Sequence, residues 1–246
     1  MRLTVVGCSG SYPGPDSPAS CYLVEHDGFR ILVDLGNGAL GPLQRFADLD
    51  SIDAVLLSHL HADHCLDLCS FHVYRRWHPD GPRPRIPVIG PAGTATRMAA
   101  AYGLPEQPGM SREFEFVDWQ AHQRVGPFDV TTATMAHPVA CMGMRIEAGG
   151  RTLAYSADTG PTPALVELAV DADVALFEAS FLGTANPPDL HLTARDAAQA
   201  AERAGAGLLL LTHLVPWNSR DDTWAEARPA YAGDLALAEP GMVIDI

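Results

Sequence analysis

The segment His59-Leu60-His61-Ala62-Asp63-His64 follows directly on the apolar run Ala54-Val55-Leu56-Leu57. Such a run reads as a buried strand, so a core strand must stop where four metal-binding side chains are displayed within six residues. A fold that buries the strand and leaves its end open to substrate is therefore required. Neutral imidazole and carboxylate are ligands that zinc, manganese and iron accept. Four are more than one open catalytic ion uses, so two adjacent ions are the economical reading. Two ions suggest hydrolysis of a phosphate ester or a similar bond. A loop that is merely rich in histidine would have no need of a buried strand in front of it, nor of further ligands downstream.

Such ligands recur. An alternating strand at 131–135 is followed by His137, a strand at 152–156 by Asp158, and the apolar strand at 208–211 by His213. Each is a metal-capable side chain just beyond a strand end, where loops carry function on a rigid scaffold. Strand patterns at 3–7, 21–25, 30–34, 54–58, 85–89, 114–117, 128–135, 142–147, 152–156, 174–178 and 208–211 alternate with helical ones at 39–46, 65–77, 92–102, 163–169 and 193–204. Asp27-Gly28 and Gly149-Gly150 are hairpin signals, and Thr193 with Asp196 reads as a capping box. Hairpins interspersed with helices suit two mixed sheets flanked by helices better than one parallel sheet. We expect one domain over residues 1–246.

Composition narrows the partners. Net charge is −14, and all 16 basic residues are arginine. An acidic surface repels polyanions, so broad binding to nucleic acid is not expected unless a local patch such as Arg75, Arg76, Arg83 and Arg85 overrides it. No run approaches the ~18 apolar residues that span a membrane. The start, Met1 to Cys8, has too short an apolar stretch for a signal segment and reads as a first strand. Five cysteines without a CxxC pair argue against a disulfide framework and for a cytoplasmic protein.

His59-x-His61-x-Asp63-His64, His137, Asp158 in Tyr155-Ser156-Ala157-Asp158-Thr159-Gly160, and His213 in Leu211-Thr212-His213 together resemble the metallo-β-lactamase superfamily. The match begins in the turn Gly7-Cys8-Ser9-Gly10-Ser11. Glu178-Ala179-Ser180-Phe181 and His191-x-Thr193 resemble its tRNase Z branch. Gly14 to Ser20, His64-Cys65-Leu66-Asp67-Leu68, Arg75-Arg76-x-His78-Pro79 and Pro216-Trp217-x-Ser219-Arg220 are similar to actinobacterial cyclic-AMP phosphodiesterases of this fold.

The resemblance implies a four-layer αββα sandwich of two mixed sheets in the α/β class. It implies two divalent ions, zinc first, with manganese or iron accepted by the same ligands. His59, His61 and His137 would hold one ion, Asp63, His64 and His213 the other, and Asp158 would bridge them. A hydroxide between two cations ~3.5–4 Å apart would attack phosphorus, most readily that of 3′,5′-cyclic AMP. Asp63 and His191 are the candidate catalytic residues, His191 as the acid toward the leaving oxygen. Ser9, Ser11 and Arg76 are candidate substrate contacts; Glu178 and Asp34 are candidate partners that orient the site.

tRNase Z carries a long tRNA-clamping arm between the segments of His137 and Asp158. Here that interval is only 138–157, already used by two strands and a Gly-Gly turn. A small phosphodiester therefore fits better than precursor tRNA, with an arm-less 3′-end endoribonuclease, a lactone or thioester hydrolase, and a non-catalytic sensor on the same fold as alternatives. The resemblance leaves a homodimer open. Cys65 and Cys69, four apart on an expected helical face, read as packing residues beside the site. Trp77, Trp217 and Trp224 read as core or contact residues rather than base platforms.

Overall fold

The computed structural model describes residues 1–183, 186–187 and 189–246. The first sheet contains β1 (Arg2–Gly7), β2 (Cys21–His26), β3 (Phe29–Val33), β4 (Ala54–Leu56), β5 (Ile86–Gly90) and β6 (Phe114–Asp118), with β14 (Val243–Asp245) on its edge, in the order β14-β1-β2-β3-β4-β5-β6. The second contains β7 (His122–Val125), β8 (Phe128–Thr134), β9 (Met142–Ala148), β10 (Arg151–Tyr155), β11 (Val174–Glu178), β12 (Leu208–Thr212) and β13 (Asp234–Leu237), in the order β13-β12-β11-β10-β9-β8-β7. Both are mixed: β3 to β6 are parallel, as are β10 to β13, and the remaining pairs are antiparallel.

Alternation along the first-sheet strands explains the layering. Leu3, Val5, Tyr22, Val24, Ile31 and Val33 face the second sheet and share a core with Phe128, Val130, Ile146 and Leu153. The intervening Val6, Leu23, Leu32 and Val55 pack on the opposite face with Leu68, Phe71 and Met98. Those last three belong to α3 (Leu68–Trp77) and α4 (Thr94–Tyr102), which with α1 (Leu40–Leu43) and α2 (Ala62–Cys65) accompany the first sheet. The second sheet carries α5 (Pro163–Leu168), α6 (Ala194–Ala204) and α7 (Arg220–Ala227). The alanine face of α6, including Ala197, Ala198 and Ala201, is buried in the core. The result is an αββα sandwich.

The expected turns form as their residues dictate. Asp27 and Gly28 have φ of 48° and 79°, and Gly149 and Gly150 have 60° and 73°. Positive φ at both central positions matches the twist of a two-residue hairpin. Thr193 and Asp196 make the full capping box of α6. Two expected helices differ. The 65–77 stretch is divided at Leu66–Asp67, so Cys65 ends α2 while Cys69 lies in α3. At Asp67 the backbone N–H bonds the Leu35 carbonyl at 3.1 Å instead of a carbonyl one turn back, and the carboxylate accepts the Leu40 N–H at 2.8 Å. The 39–46 helix contracts to the single turn of α1. The sequence reading missed β7, β13, β14 and α7, which are short and half-exposed, so their apolar periodicity is weak. Among the described residues no helix is long and apolar enough to cross a membrane.

Candidate metal centre

Strand direction gathers the site. β1 and β3 flank antiparallel β2, so they point the same way, and β4 is parallel to β3. β8 and β10 flank antiparallel β9, and β11 and β12 follow β10 in parallel. Within each sheet the loops after these strands therefore open at one edge. From the first sheet come the Ser9–Ser11 loop, Asp34 and the His59–His64 turn; from the second come His137, Asp158 and His213. This is the edge where carboxyl ends of strands offer groups to a ligand.

Three of these ends carry a sharp reversal. Asp34, Ala157 and His213 have φ of 59°, 53° and 53°, a left-handed conformation that costs a non-glycine residue about 1–3 kcal/mol. Their surroundings hold them there. A Cβ on Gly10 would lie 2.5 Å from the His213 carbonyl oxygen, and one on Gly36 would lie 2.0 Å from that of Asp63. Both glycines are thus required for the loops to close on the ligand-bearing segments.

Two groups of ligand atoms result. His59, His61, His137 and Asp158 form one, and Asp63, His64, Asp158 and His213 the other, the atoms of each lying within 4.8 Å of one another. Asp158 belongs to both. The imidazoles are oriented from behind. His64 donates from Nδ1 to Asp34 at 2.7 Å, and His59 Nδ1 lies 3.0 Å from Ser58 Oγ, whose own proton goes to Asp34 at 2.8 Å. Asp34 also accepts from the Ser58 N–H and the Tyr155 hydroxyl, both at 2.7 Å. His137 Nδ1 donates to the Leu190 carbonyl at 3.0 Å. His213 Nδ1 donates to Ser180 Oγ at 2.7 Å, which in turn donates to Glu178 at 2.9 Å. Each bond fixes the tautomer that leaves Nε2 as a lone pair facing the centre.

Apart from the Ser11 N–H, 3.4 Å from His213 Nε2, those lone pairs converge on one another. His61 Nδ1 is 3.0 Å from His59 Nε2 and 3.2 Å from His137 Nε2. His64 Nε2 and Asp158 Oδ1 are buried with no hydrogen-bond partner. Converging acceptors and orphaned buried polar atoms are costly unless a cation completes them, and nitrogen with carboxylate oxygen is a donor set divalent zinc, manganese or iron accepts. The residues present fit two such ions. The titration tendencies agree at His59, His137, Asp158 and Asp63; at His64 burial is overridden by Asp158 and Asp34, which raise its pKa well above the ordinary value. Burial, reinforced by the charge of His64, holds His59 well below the ordinary histidine pKa, and burial likewise lowers His137. For Asp158 burial alone would raise the pKa, but His213, His64 and His59 outweigh it and keep the carboxylate ionised. The same contest, with His213 and His64 outweighing burial, keeps Asp63 ionised.

A third grouping, Glu178, His191 and His213, adjoins these two. His191 donates from Nδ1 to Glu178 at 2.9 Å and stacks on His213 with centroids 5.5 Å apart. Burial opposes protonation of His191, yet the hydrogen bond and charge of Glu178 raise its pKa above the ordinary value. Glu178 is itself buried and accepts from the Thr159 and Ser180 N–H groups, so it both builds the loop and orients two histidines.

The other sequence candidates are placed less centrally. Ser9 Oγ donates to the Tyr12 carbonyl at 2.7 Å, so its hydroxyl orders its own loop. The Ser11 N–H points at His213 Nε2, 3.4 Å away. Arg76 does not join the cluster. Its guanidinium is 3.2 Å from buried Glu113, and it sits near the far end of α3, about 12 Å along the helix from its start. Arg75 is buried against the Pro84 carbonyl. No sequence signal singled out Ser58, Tyr155 or Ser180, because each acts only through a partner brought in by the sheets.

A family model described as the beta-lactamase superfamily domain matches residues 29–214. The chain belongs to this superfamily, as a metallo-hydrolase. Protein Rv1339 of Mycobacterium tuberculosis is 46% identical over 243 residues, covering 96% of this chain and 88% of that one. Ribonuclease Z of Mycobacterium marinum is 31% identical over 271 residues, covering 96% and 95%. The crystal structure of the metallo-beta-lactamase fold protein YhfI from Bacillus subtilis matches with a TM-score of 0.88 at 28% identity, covering 99% of each chain.

Proposed function

We propose that this metallo-hydrolase is a phosphodiesterase of cyclic nucleotides, with 3′,5′-cyclic AMP first among its substrates. The observation that carries this reading is the Glu178–His191 pair set against the two ligand groups that share Asp158. His59, His61 and His137 would hold one divalent ion and Asp63, His64 and His213 the other, with Asp158 common to both. Such ions, zinc first, supply positive charge for a phosphoryl oxygen and make water nucleophilic near neutral pH.

The chain's own residues supply the rest. His191, its pKa raised by Glu178 against the effect of burial, gives a proton to the ribose 3′ oxygen as its bond to phosphorus breaks. Nδ1 is engaged by Glu178, so the proton leaves from Nε2. Asp34 and Ser180 keep His64 and His213 from rotating during turnover. Asp63 is held ionised as a ligand, with Oδ2 3.1 Å from His213 Nε2.

Two observations favour a small substrate. Residues 138–157 are taken up by a turn, β9, the Gly149-Gly150 hairpin and β10, and the net charge of −14 disfavours a polyanion. Identity to a ribonuclease Z keeps an endoribonuclease reading alive as the alternative. Metal-loaded protein assayed on 3′,5′-cyclic nucleotides, precursor tRNA, a lactone and a thioester separates the readings. We expect cyclic AMP to yield 5′-AMP. Cleavage of precursor tRNA or of the carboxyl esters with cyclic nucleotides untouched overturns the proposal.

A further inference from the structure

A cavity of about 390 Å³ opens beside His61. Three turns enclose it: Leu60 and His61 after β4, Pro91 and Ala92 after β5, and Val139 and Ala140 after β8. It therefore straddles both sheets, at the same edge as the metal centre, and His61 belongs to both. Its volume lies within the ordinary range for small-molecule sites. Apart from His61 the turn residues are apolar, and Val139 stays 41% exposed directly after the His137-Pro138 step.

One charged side chain lines this cavity, Arg97 of α4. Among the described residues no carboxylate lies within 4.0 Å of its guanidinium; eight of the 16 arginines are ion-paired, and Arg97 is one of the eight that are not. In a chain with 30 acidic residues, an unpaired arginine beside the candidate centre is available to a ligand. We infer that Arg97 and this cavity receive the nucleobase of a nucleotide whose phosphate lies at the metal centre, an inference that takes its ligand class from the phosphodiesterase reading above.

Chemistry favours a base over a second phosphate. A phosphate needs several donors, and part of the nearby start of α4 is already engaged: the Thr94 N–H and hydroxyl both bond the Pro91 carbonyl, and the Arg97 N–H bonds that of Gly93. A flat ring gains instead from aliphatic walls, and its ring nitrogens accept from a guanidinium that also stacks on π-faces. Neither the arginine-rich segment 75–85 nor the exposed tryptophans shares a residue with this cavity.

The test uses Arg97→Gln and Ala92→Phe, the second filling the cavity from an exposed position. Steady-state kinetics on 3′,5′-cyclic AMP are paired with calorimetric binding of 5′-AMP and of inorganic phosphate to the metal-loaded protein. We expect each variant to raise KM and weaken 5′-AMP roughly tenfold, with kcat and phosphate affinity preserved. Equal weakening of 5′-AMP and phosphate, or unchanged constants in both variants, overturns the inference. The two levels separate cleanly. Wild-type protein that cleaves no cyclic nucleotide sinks the proposed reaction, while a selective loss of 5′-AMP binding would still support the base site.

Discussion

The two sheets furnish the candidate centre in opposite ways. The first contributes four candidate ligands from one turn, His59 to His64, whose spacing is set by local backbone. The second contributes His137, Asp158 and His213 from the ends of three separate strands. The turn can hold its geometry through α2 and the buried Asp34 beneath it. The dispersed set depends on sheet register, on a left-handed backbone at Ala157 and His213, and on the buried Glu178–Ser180 chain. A compact ligand turn thus serves as a fixed half-site, against which tertiary structure aligns the other half. Asp158, common to both groups, is where the halves join.

Asp158→Ala should break that contrast altogether. Removing the one shared carboxylate leaves both groups short of a ligand, so activity should fall by more than the about hundredfold expected when only an orienting partner is lost. Metal content by mass spectrometry should fall with it; full metal occupancy with near-normal turnover would show that Asp158 joins nothing. Asp34→Asn should weaken the first-sheet half selectively. The amide cannot accept from four donors at once, so metal affinity should drop about ten- to hundredfold, with a lower Tm. Chelator competition reads this directly, and an unchanged affinity would deny Asp34 its role.

Glu178→Gln probes the second-sheet half with the smallest effect. A histidine whose pKa is raised stays protonated to higher pH, and an activity that needs its proton is lost as pH rises through that pKa. Neutralising Glu178 removes the charge that raises it, so the alkaline limb of kcat/KM should move to lower pH. A limb that stays in place, in protein that still folds, would separate His191 from proton delivery.

Much of this was legible beforehand. Hairpins interspersed with helices pointed to two mixed sheets, and the hairpins at Asp27-Gly28 and Gly149-Gly150 and the α6 cap follow from local stereochemistry. Short edge strands such as β13 and β14 were not, because a few half-exposed residues carry little periodicity. Arg76 looked suited to a phosphate from its neighbours in sequence, but Glu113, 37 residues away, captures it. Arg97 carried no motif at all.

Sequence by itself determined the chemistry on offer: the ligand types, their place after strands, and the turns and caps that depend on neighbouring residues. Tertiary structure alone decided the partnerships. His213 meets Asp63 across 150 residues, Tyr155 reaches Asp34 across 121, and His61 shares a cavity wall with Arg97. The physical reason is range. Backbone preference acts over a few residues, whereas these contacts exist only once strand order and register have brought distant loops to one edge.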